Sequence, residues 1–308
     1  MTHFGIVGSG NLGANVAFFA AERAIGSVCL YDAKEGLSTG KALDMMEAAP
    51  LRNYQYPLRG TDRIDDALDA TVVLVSVGAV REPGQTRLDL YERNRDDVAA
   101  IAKKLQGYRG TVIVATEPVD LMVRDLQSVS GLPAGRVIGA GCVLDSMRLR
   151  YLIASELQTS AADISATVIG PHSERMMPLR AYCTVAGVPI ATLVPSDRID
   201  RLFEQVRGAG DEILDLAKRS TSYYGPAAAI VDVAEAVLRD SKRVLSVSTV
   251  LSGQYGVSGV AMSLPVVIGA GGAERILEPL LDESQRAHLS QSAESLSAAG
   301  SFPATDRS

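Results

Sequence analysis

The sequence predicts an α/β chain: a doubly wound parallel sheet with helices on both faces, followed by an α+β half. Three observations carry this. Short β-branched runs alternate with helix-length segments through the first half. The runs are continuously apolar, as expected of strands covered on both faces. The first of them breaks at once into a glycine turn that opens a helix.

In chain order, strands are expected at Phe4–Val7, Val28–Tyr31, Val72–Val77, Thr111–Ala115 and Val137–Gly139. Helices are expected over Leu12–Ala24, Gly36–Ala49 and Arg87–Gln106. The second half reads as a helix over Ser146–Leu157, a strand at Ala166–Ile169, and a strand pair, Tyr182–Ala186 and Val188–Leu193, about Gly187. Helices then follow over Ile199–Arg219 and Pro226–Leu238, a hairpin of Ser246–Ser252 with Val260–Val267 across Gly253–Gly259, and a helix over Glu283–Leu296. Ala298–Ser308 reads as a frayed tail. With no repeat or low-complexity linker, the division is a soft one: residues 1–142 as a cofactor domain and 143–308 as a catalytic domain with a C-terminal helix.

The turn after the first strand is Gly8-Ser-Gly10-Asn11-Leu12-Gly13. Gly8 permits the tight turn, Gly10 lets bare backbone approach a pyrophosphate, and Gly13 lets helix and strand pack closely. The helix N-terminus then presents free N–H groups and the positive end of its dipole. Asp32 ends the second strand, placed to accept from a ribose diol and to repel a 2′-phosphate, which favours NAD over NADP. The bland alternative is a tight turn and a capping Asp; the conjunction of loop, strand, helix and acid favours a Rossmann dinucleotide site. Gly139-Ala-Gly141 and Gly269-Ala-Gly271-Gly272 also follow apolar runs but lack a following strand ending in an acid, and they read as ordinary turns.

Composition narrows the function classes. The chain has 308 residues, 47% hydrophobic, with a net charge of −6, so no basic surface points to nucleic acid. Cys29, Cys142 and Cys183 are scattered, without a CxxC or a Cys/His cluster; they read as buried thiols of a reducing compartment, and no metal site is expected. The N-terminus lacks a basic leader and a long apolar run, so a cytoplasmic protein with no membrane partner is expected.

Of the three histidines, His3 begins a strand, His288 lies in a polar helix, and His172 sits in a Gly/Pro loop just after a strand. By elimination His172 is the candidate general acid/base. Gly78-Ala-Val-Arg81-Glu-Pro-Gly-Gln-Thr-Arg87 is a polar loop at the carboxyl edge of the sheet, where ligands bind in such folds. Its two arginines suit closure over an anion, although a solvated loop would also carry them.

Taken in order, these segments resemble the lactate/malate dehydrogenase family, and most closely its bacterial malate dehydrogenases of lactate-dehydrogenase-like type. The resemblance runs from about Phe4 to Leu296. It rests on the phosphate loop, Gly40-Lys-Ala-Leu-Asp44, Arg81–Arg87, Glu117-Pro-Val-Asp120, Arg136-Val-Ile-Gly139, Leu144-Asp145-Ser-Met-Arg148, Gly170-Pro-His172 and Ser222-Tyr-Tyr-Gly225-Pro. It implies an NAD-dependent oxidoreductase interconverting a 2-hydroxy and a 2-keto acid. It assigns proton exchange to His172, stabilisation of the charged imidazole to Asp145, and the carboxylate clamp to Arg148. It gives Arg87 the carbonyl, and it adds Ser222 and Glu117 to the substrate site and Gly78 to the cofactor site. Arg81 matches the malate pattern, where the lactate enzymes carry Gln, and so implies a dicarboxylate such as malate/oxaloacetate. The family also implies a homo-oligomer, dimer or tetramer; Val16–Ala24 and Ala227–Val237 offer apolar faces for association or for the core.

Three positions depart from the pattern: Glu117 replaces the usual Asn, and Ser173-Glu174 replaces Gly-Asp. An ionised Glu cannot donate as the amide does, and it repels an oxyanion. Glu117 is kept protonated, faces a cationic or hydroxyl group of a modified dicarboxylate, or turns aside. A paralogue acting on such a substrate is the second reading. The reading of another class is a catalytically silent NAD-binding sensor or scaffold, against which stands the joint presence of Asp145, His172, Arg87 and Arg148.

Overall fold

The computed structural model describes residues 2–80, 85, 87–218 and 222–299. The first half alternates as expected: β1 (Thr2–Val7), α1 (Asn11–Glu22), β2 (Val28–Tyr31), α2 (Leu37–Glu47), α3 (Ala49–Arg52), β3 (Leu58–Thr61), α4 (Ile64–Leu68), β4 (Ala70–Val75), α5 (Arg87–Lys104), β5 (Thr111–Val114), α6 (Val119–Ser130) and β6 (Val137–Gly139). The six strands are parallel in the order β6-β5-β4-β1-β2-β3, so the order reverses between β1 and β4.

Three of these elements escape the sequence reading. β3 carries Arg and Gly on an edge and α4 is a single short turn, so neither has a full hydrophobic period. α6 is amphipathic, with Leu121, Met122, Val123 and Leu126 buried; it starts directly after Pro118, and no element is expected there from sequence. The expected helix over Gly36–Ala49 divides into α2 and α3, with Pro50 near the start of the second piece.

The second half opens with α7 (Cys142–Leu157), four residues earlier than the expected Ser146, because the Cys142 N–H donates to Ser263 Oγ (3.0 Å) and starts the helix there. Short strands come next: β7 (Ile164–Ser165), β8 (Val168–Ile169), β9 (Met177–Pro178), β10 (Thr184–Val185) and β11 (Val188–Pro189). Then come α8 (Ser196–Ala217), α9 (Tyr224–Leu238), β12 (Arg243–Ser252), β13 (Ser258–Gly269), β14 (Gly272–Ile276) and α10 (Glu283–Ala298). α10 begins on a capping box between Asp282 and Gln285. The frayed tail beyond Ala299 lies outside the described residues.

The β12–β13 hairpin is present but longer than expected, and β14 extends it. β12 pairs antiparallel with β6 through Ser248 and Gly139, so one nine-stranded sheet crosses the soft boundary near residue 142. The core does the same. Phe4, Ile6, Val16 and Ala20 pack in one cluster with Ala227, Ile230, Ala234, Val247 and Val266. The small-residue faces of α1 and α9 therefore meet each other inside the chain. All three cysteines are buried. Among the described residues, no helix is long and apolar enough to cross a membrane.

Candidate active site

Parallel strands end at one edge, and the segments leaving those strand ends are brought together there. A cavity of about 290 Å³ lies along that edge. It is lined by Gly10, Asn11 and Leu12 after β1, Ser76–Val80 after β4, Ala115–Glu117 and Val119 after β5, and Ala140, Gly141 and Leu144 after β6. The second half closes it with Arg148, His172, Leu214, Ser222, Tyr223 and Ile230. The expected residues Gly10, Asn11, Leu12, Gly78, Glu117, Arg148, His172 and Ser222 thus share one cavity. Gly139-Ala-Gly141, read from sequence as an ordinary turn, is instead the strand-to-helix junction in its wall.

The phosphate loop has the geometry that its glycines require. Gly8 adopts φ +107°, and a Cβ on Gly13 would lie 1.8 Å from the Gly8 carbonyl oxygen. A Cβ on Gly10 would meet nothing within 4 Å, leaving bare backbone facing the cavity. The first turn of α1 carries no acidic residue and no side-chain cap. This end of α1 therefore fits an anionic pyrophosphate, and Leu214 and Ile230 offer the apolar wall that a planar ring needs.

Asp32 is held beside the same loop. Its Oδ2 accepts from the Ser9 N–H (2.7 Å) and hydroxyl (2.9 Å), and its Oδ1 from the Lys34 N–H (3.0 Å). Partial burial would raise its carboxyl, but these hydrogen bonds and the charge of Lys41 outweigh burial and hold it below the usual carboxylate range.

The chemical centre is delivered by two elements. α7 presents Asp145 and Arg148 three residues apart, on one face. The loop after β8 presents His172. Its Nδ1 lies 2.6 Å from Oδ2 of the fully buried Asp145, and Arg148 Nη1 lies 3.3 Å from the other carboxylate oxygen. Nδ1 faces a permanent acceptor, so Nε2 is the nitrogen that exchanges a proton at the cavity. On that side Glu117 Oε1 is 3.5 Å away.

The loop itself is anchored by residues to which sequence reasoning gave no role. The His172 N–H donates to Asp120 Oδ2 (2.7 Å), and the Ser248 hydroxyl donates to Asp120 Oδ1 (2.6 Å). Burial pushes the Asp120 carboxyl up to about 6, against the lowering effect of those two donors. Gly170 and Ser263 exchange both backbone hydrogen bonds (2.9 Å each). Asn94, fully buried, accepts from the Ala79 N–H (2.7 Å) and donates to the Glu117 carbonyl (2.9 Å), joining the two strand-end loops. Asn94 stands in the charged run Glu92-Arg93-Asn94-Arg95-Asp96-Asp97, where nothing in the sequence singles it out. Arg81 lies outside the described residues; Arg87 opens α5, and its side chain lies outside them too.

The family models agree with this geometry over almost the whole chain. Residues 2–139 match the lactate/malate dehydrogenase NAD binding domain, and residues 142–300 match the lactate/malate dehydrogenase alpha/beta C-terminal domain. The chain belongs to the lactate/malate dehydrogenase family. A malate dehydrogenase from Methanosarcina barkeri is 40% identical over 298 residues, covering 96% of this chain and 97% of that protein. One from Methylobacterium radiotolerans is 39% identical over 94% of this chain and 93% of that protein. Among solved structures, Cryptosporidium parvum malate dehydrogenase superposes with a TM-score of 0.94 at 32% identity, covering 97% of this chain and 98% of that one. The lactate dehydrogenase of the same organism, complexed with lactic acid and nicotinamide adenine dinucleotide, gives 0.93 at 34% identity, over 97% of both chains. As a lactate/malate dehydrogenase family member, the chain is an NAD-dependent dehydrogenase that interconverts a hydroxy acid and a keto acid.

Proposed function

We propose that the chain is a cytoplasmic, homo-oligomeric dehydrogenase that uses NAD to interconvert (S)-malate and oxaloacetate. The carrying observation is that His172 and Arg148, both held by the buried Asp145, line the cavity that the phosphate loop also lines. Gly10, Asn11, Leu12 and the backbone at Gly78 hold the dinucleotide, with Asp32 beside its ribose and Gly8 and Gly13 shaping the turn. When bound, the nicotinamide ring supplies or accepts the hydride at substrate C2.

The chain's own residues do the rest. His172 Nε2 takes the C2 hydroxyl proton in oxidation and returns it to the carbonyl oxygen in reduction. Asp145 fixes the tautomer through Nδ1 and stabilises the imidazolium. Arg148 receives the C1 carboxylate, ideally in a two-point fork, and Ser222 lines the same cavity. Arg87 polarises the carbonyl, and Arg81 pairs with the second carboxylate, which is the reason for choosing a dicarboxylate. Division into residues 1–142 for cofactor and 143–308 for substrate is part of this proposal. Leu43 and Leu51, 63% and 88% exposed on α2 and α3, are surface that a second copy would cover.

The test is NADH oxidation by purified protein near pH 7 with oxaloacetate, pyruvate or 2-ketoglutarate at equal concentration. Turnover with oxaloacetate well above the other two supports malate; a preference for pyruvate overturns it. NADPH is expected to be a much poorer donor, and equal use would remove Asp32 from the ribose. The Glu117 carboxylate beside Nε2 favours one second reading, a modified 2-hydroxy/2-keto dicarboxylate bearing a cationic or hydroxyl group on that side. No turnover of the three acids despite tight NADH binding supports it.

A further inference from the structure

Glu117 stands at the reacting nitrogen, and the proposed mechanism gives it no task. Its Oε1 stands 3.5 Å from His172 Nε2, while Asp145 Oδ2 is 2.6 Å from Nδ1. The imidazole is thus bracketed by a carboxylate on each ring nitrogen. The two carboxylates differ in setting: the Asp145 side chain is fully buried and that of Glu117 is 33% exposed, against 9% for His172. The Glu117 carboxyl is partly solvated, and a nearly buried ring has little water between it and a charge at that distance.

His172 also lines a second cavity with Glu174, Arg175, Arg207 and Asp211, and closer charged groups come from α7, α6 and the loop before α6. α7 contributes Asp145 and Arg148, whose guanidinium lies 3.3 Å from Asp145 and partly offsets it. The first turn of α6 contributes Asp120, on the His172 backbone N–H. The loop before α6 contributes Glu117. The β12 and β13 side of this centre presents the neutral hydroxyls of Ser248 and Ser263.

We infer that Glu117 is a second carboxylate partner of the acid/base, holding His172 as the imidazolium through the nitrogen that trades its proton with substrate. This inference rests on the dehydrogenase reading for its catalytic consequences, but not for the pairing itself. A separation of 3.5 Å is that of an ion pair and not of a good hydrogen bond, so the carboxylate acts through charge and can be displaced. The ring therefore keeps its proton to higher pH than it would beside the amide that the resembled family carries at this position. A keto acid must also bring its carbonyl oxygen to Nε2–H alongside a carboxylate, which penalises anionic groups on that side. Glu117 thus sets both the pH range of the reaction and the charge of substrate that the site admits.

The chain has only three histidines, His3, His172 and His288, so the Cε1 proton of His172 can be followed by NMR in the protein without cofactor, with His172→Asn giving the assignment. Glu117→Gln, which preserves shape and removes charge, is expected to lower the titration midpoint of His172 by about one pH unit. Glu117→Asp, which restores the charge on a shorter arm, is expected to recover part of the shift. In steady-state reduction of oxaloacetate, Glu117→Gln is expected to move the alkaline limb of kcat/KM downward in pH and to lower KM several-fold, with a smaller effect on kcat. A His172 midpoint unchanged in the Gln variant overturns the inference. Absence of turnover in the unmodified protein would instead overturn the dehydrogenase reading, while the NMR titration would still decide the pairing.

Discussion

At the scale of single residues, the site depends on how one imidazole is held. Asp145 is fully buried against Nδ1 and Arg148 shares its carboxylate, so loss of either partner leaves the other charge without its designed neighbour. His172→Gln is expected to lower kcat by about 10²–10⁴-fold, the range typical of general acid–base groups. Asp145→Asn, close in shape but unable to stabilise an imidazolium, is expected to fall in the same range; turnover with unchanged circular dichroism checks both. The cysteines point the opposite way. Burial raises all three thiols, Cys183 to about 11 and Cys142 well above its ordinary value. None is expected to react with Ellman's reagent in the native protein at pH 8, and all three are expected to react after unfolding in guanidinium; fast modification of the folded chain would contradict this.

At the scale of elements, the strand-to-helix turn separates two roles of glycine that sequence alone treats as one motif. A Cβ at Gly13 would collide with the Gly8 carbonyl oxygen at 1.8 Å, while one at Gly10 would enter open space. Gly13→Ala is therefore expected to cost about 1–3 kcal/mol of stability, read from denaturant midpoints, because α1 must move off the loop. Gly10→Ala is expected to leave the midpoint within about 0.5 kcal/mol and yet to weaken NADH binding by fluorescence titration, since only a ligand needs that bare backbone. The same experiment on α10 gives a reference for an ordinary helix end: Asp282→Ala removes the capping box and is expected to cost about 1 kcal/mol without effect on NADH.

At the scale of the whole molecule, the two halves are joined by one sheet, one core and one buried carboxylate. Asp120 belongs to the first half, yet it anchors the backbone of His172 and the hydroxyl of Ser248 in the second. Burial lifts its carboxyl from 3.8 to about 6, so the folded state binds that proton more tightly than the unfolded chain does. The stabilisation is then fully present below about pH 4 and lost as pH rises through about 6, a difference of roughly 3 kcal/mol. Asp120→Asn is expected to be more stable than the unmodified protein above pH 6, with the gap closing toward pH 4; parallel pH profiles for the two proteins would refute this. Pairing of β6 with β12 and the mixed core packing of α1 with α9 also predict one unfolding transition for the full chain. Residues 1–142 alone would expose that face and edge, and they are expected to be insoluble or unfolded.

Much of this architecture is legible without coordinates, and the reason is locality. The phosphate loop, the alternation of apolar strands and helices, Asp145 and Arg148 on one helix face, and His172 in its Gly/Pro loop are all written within short windows, where backbone sterics and side-chain period act directly. The features that escape are non-local or aperiodic. β3 and α4 are too short and polar to show a period, α6 hides behind Pro118, and the continuity of the sheet across residue 142 depends on a pairing between Gly139 and Ser248. Asn94, Asp120, Ser248 and Ser263 are ordinary polar residues in sequence. Their roles exist only because folding buries them beside backbone groups that must be satisfied. The kind of chemistry was fixed by local residue order, whereas the charge around the reacting nitrogen was decided by the tertiary fold, which alone brings Glu117, Asp145 and His172, from three separate segments, within a few ångströms.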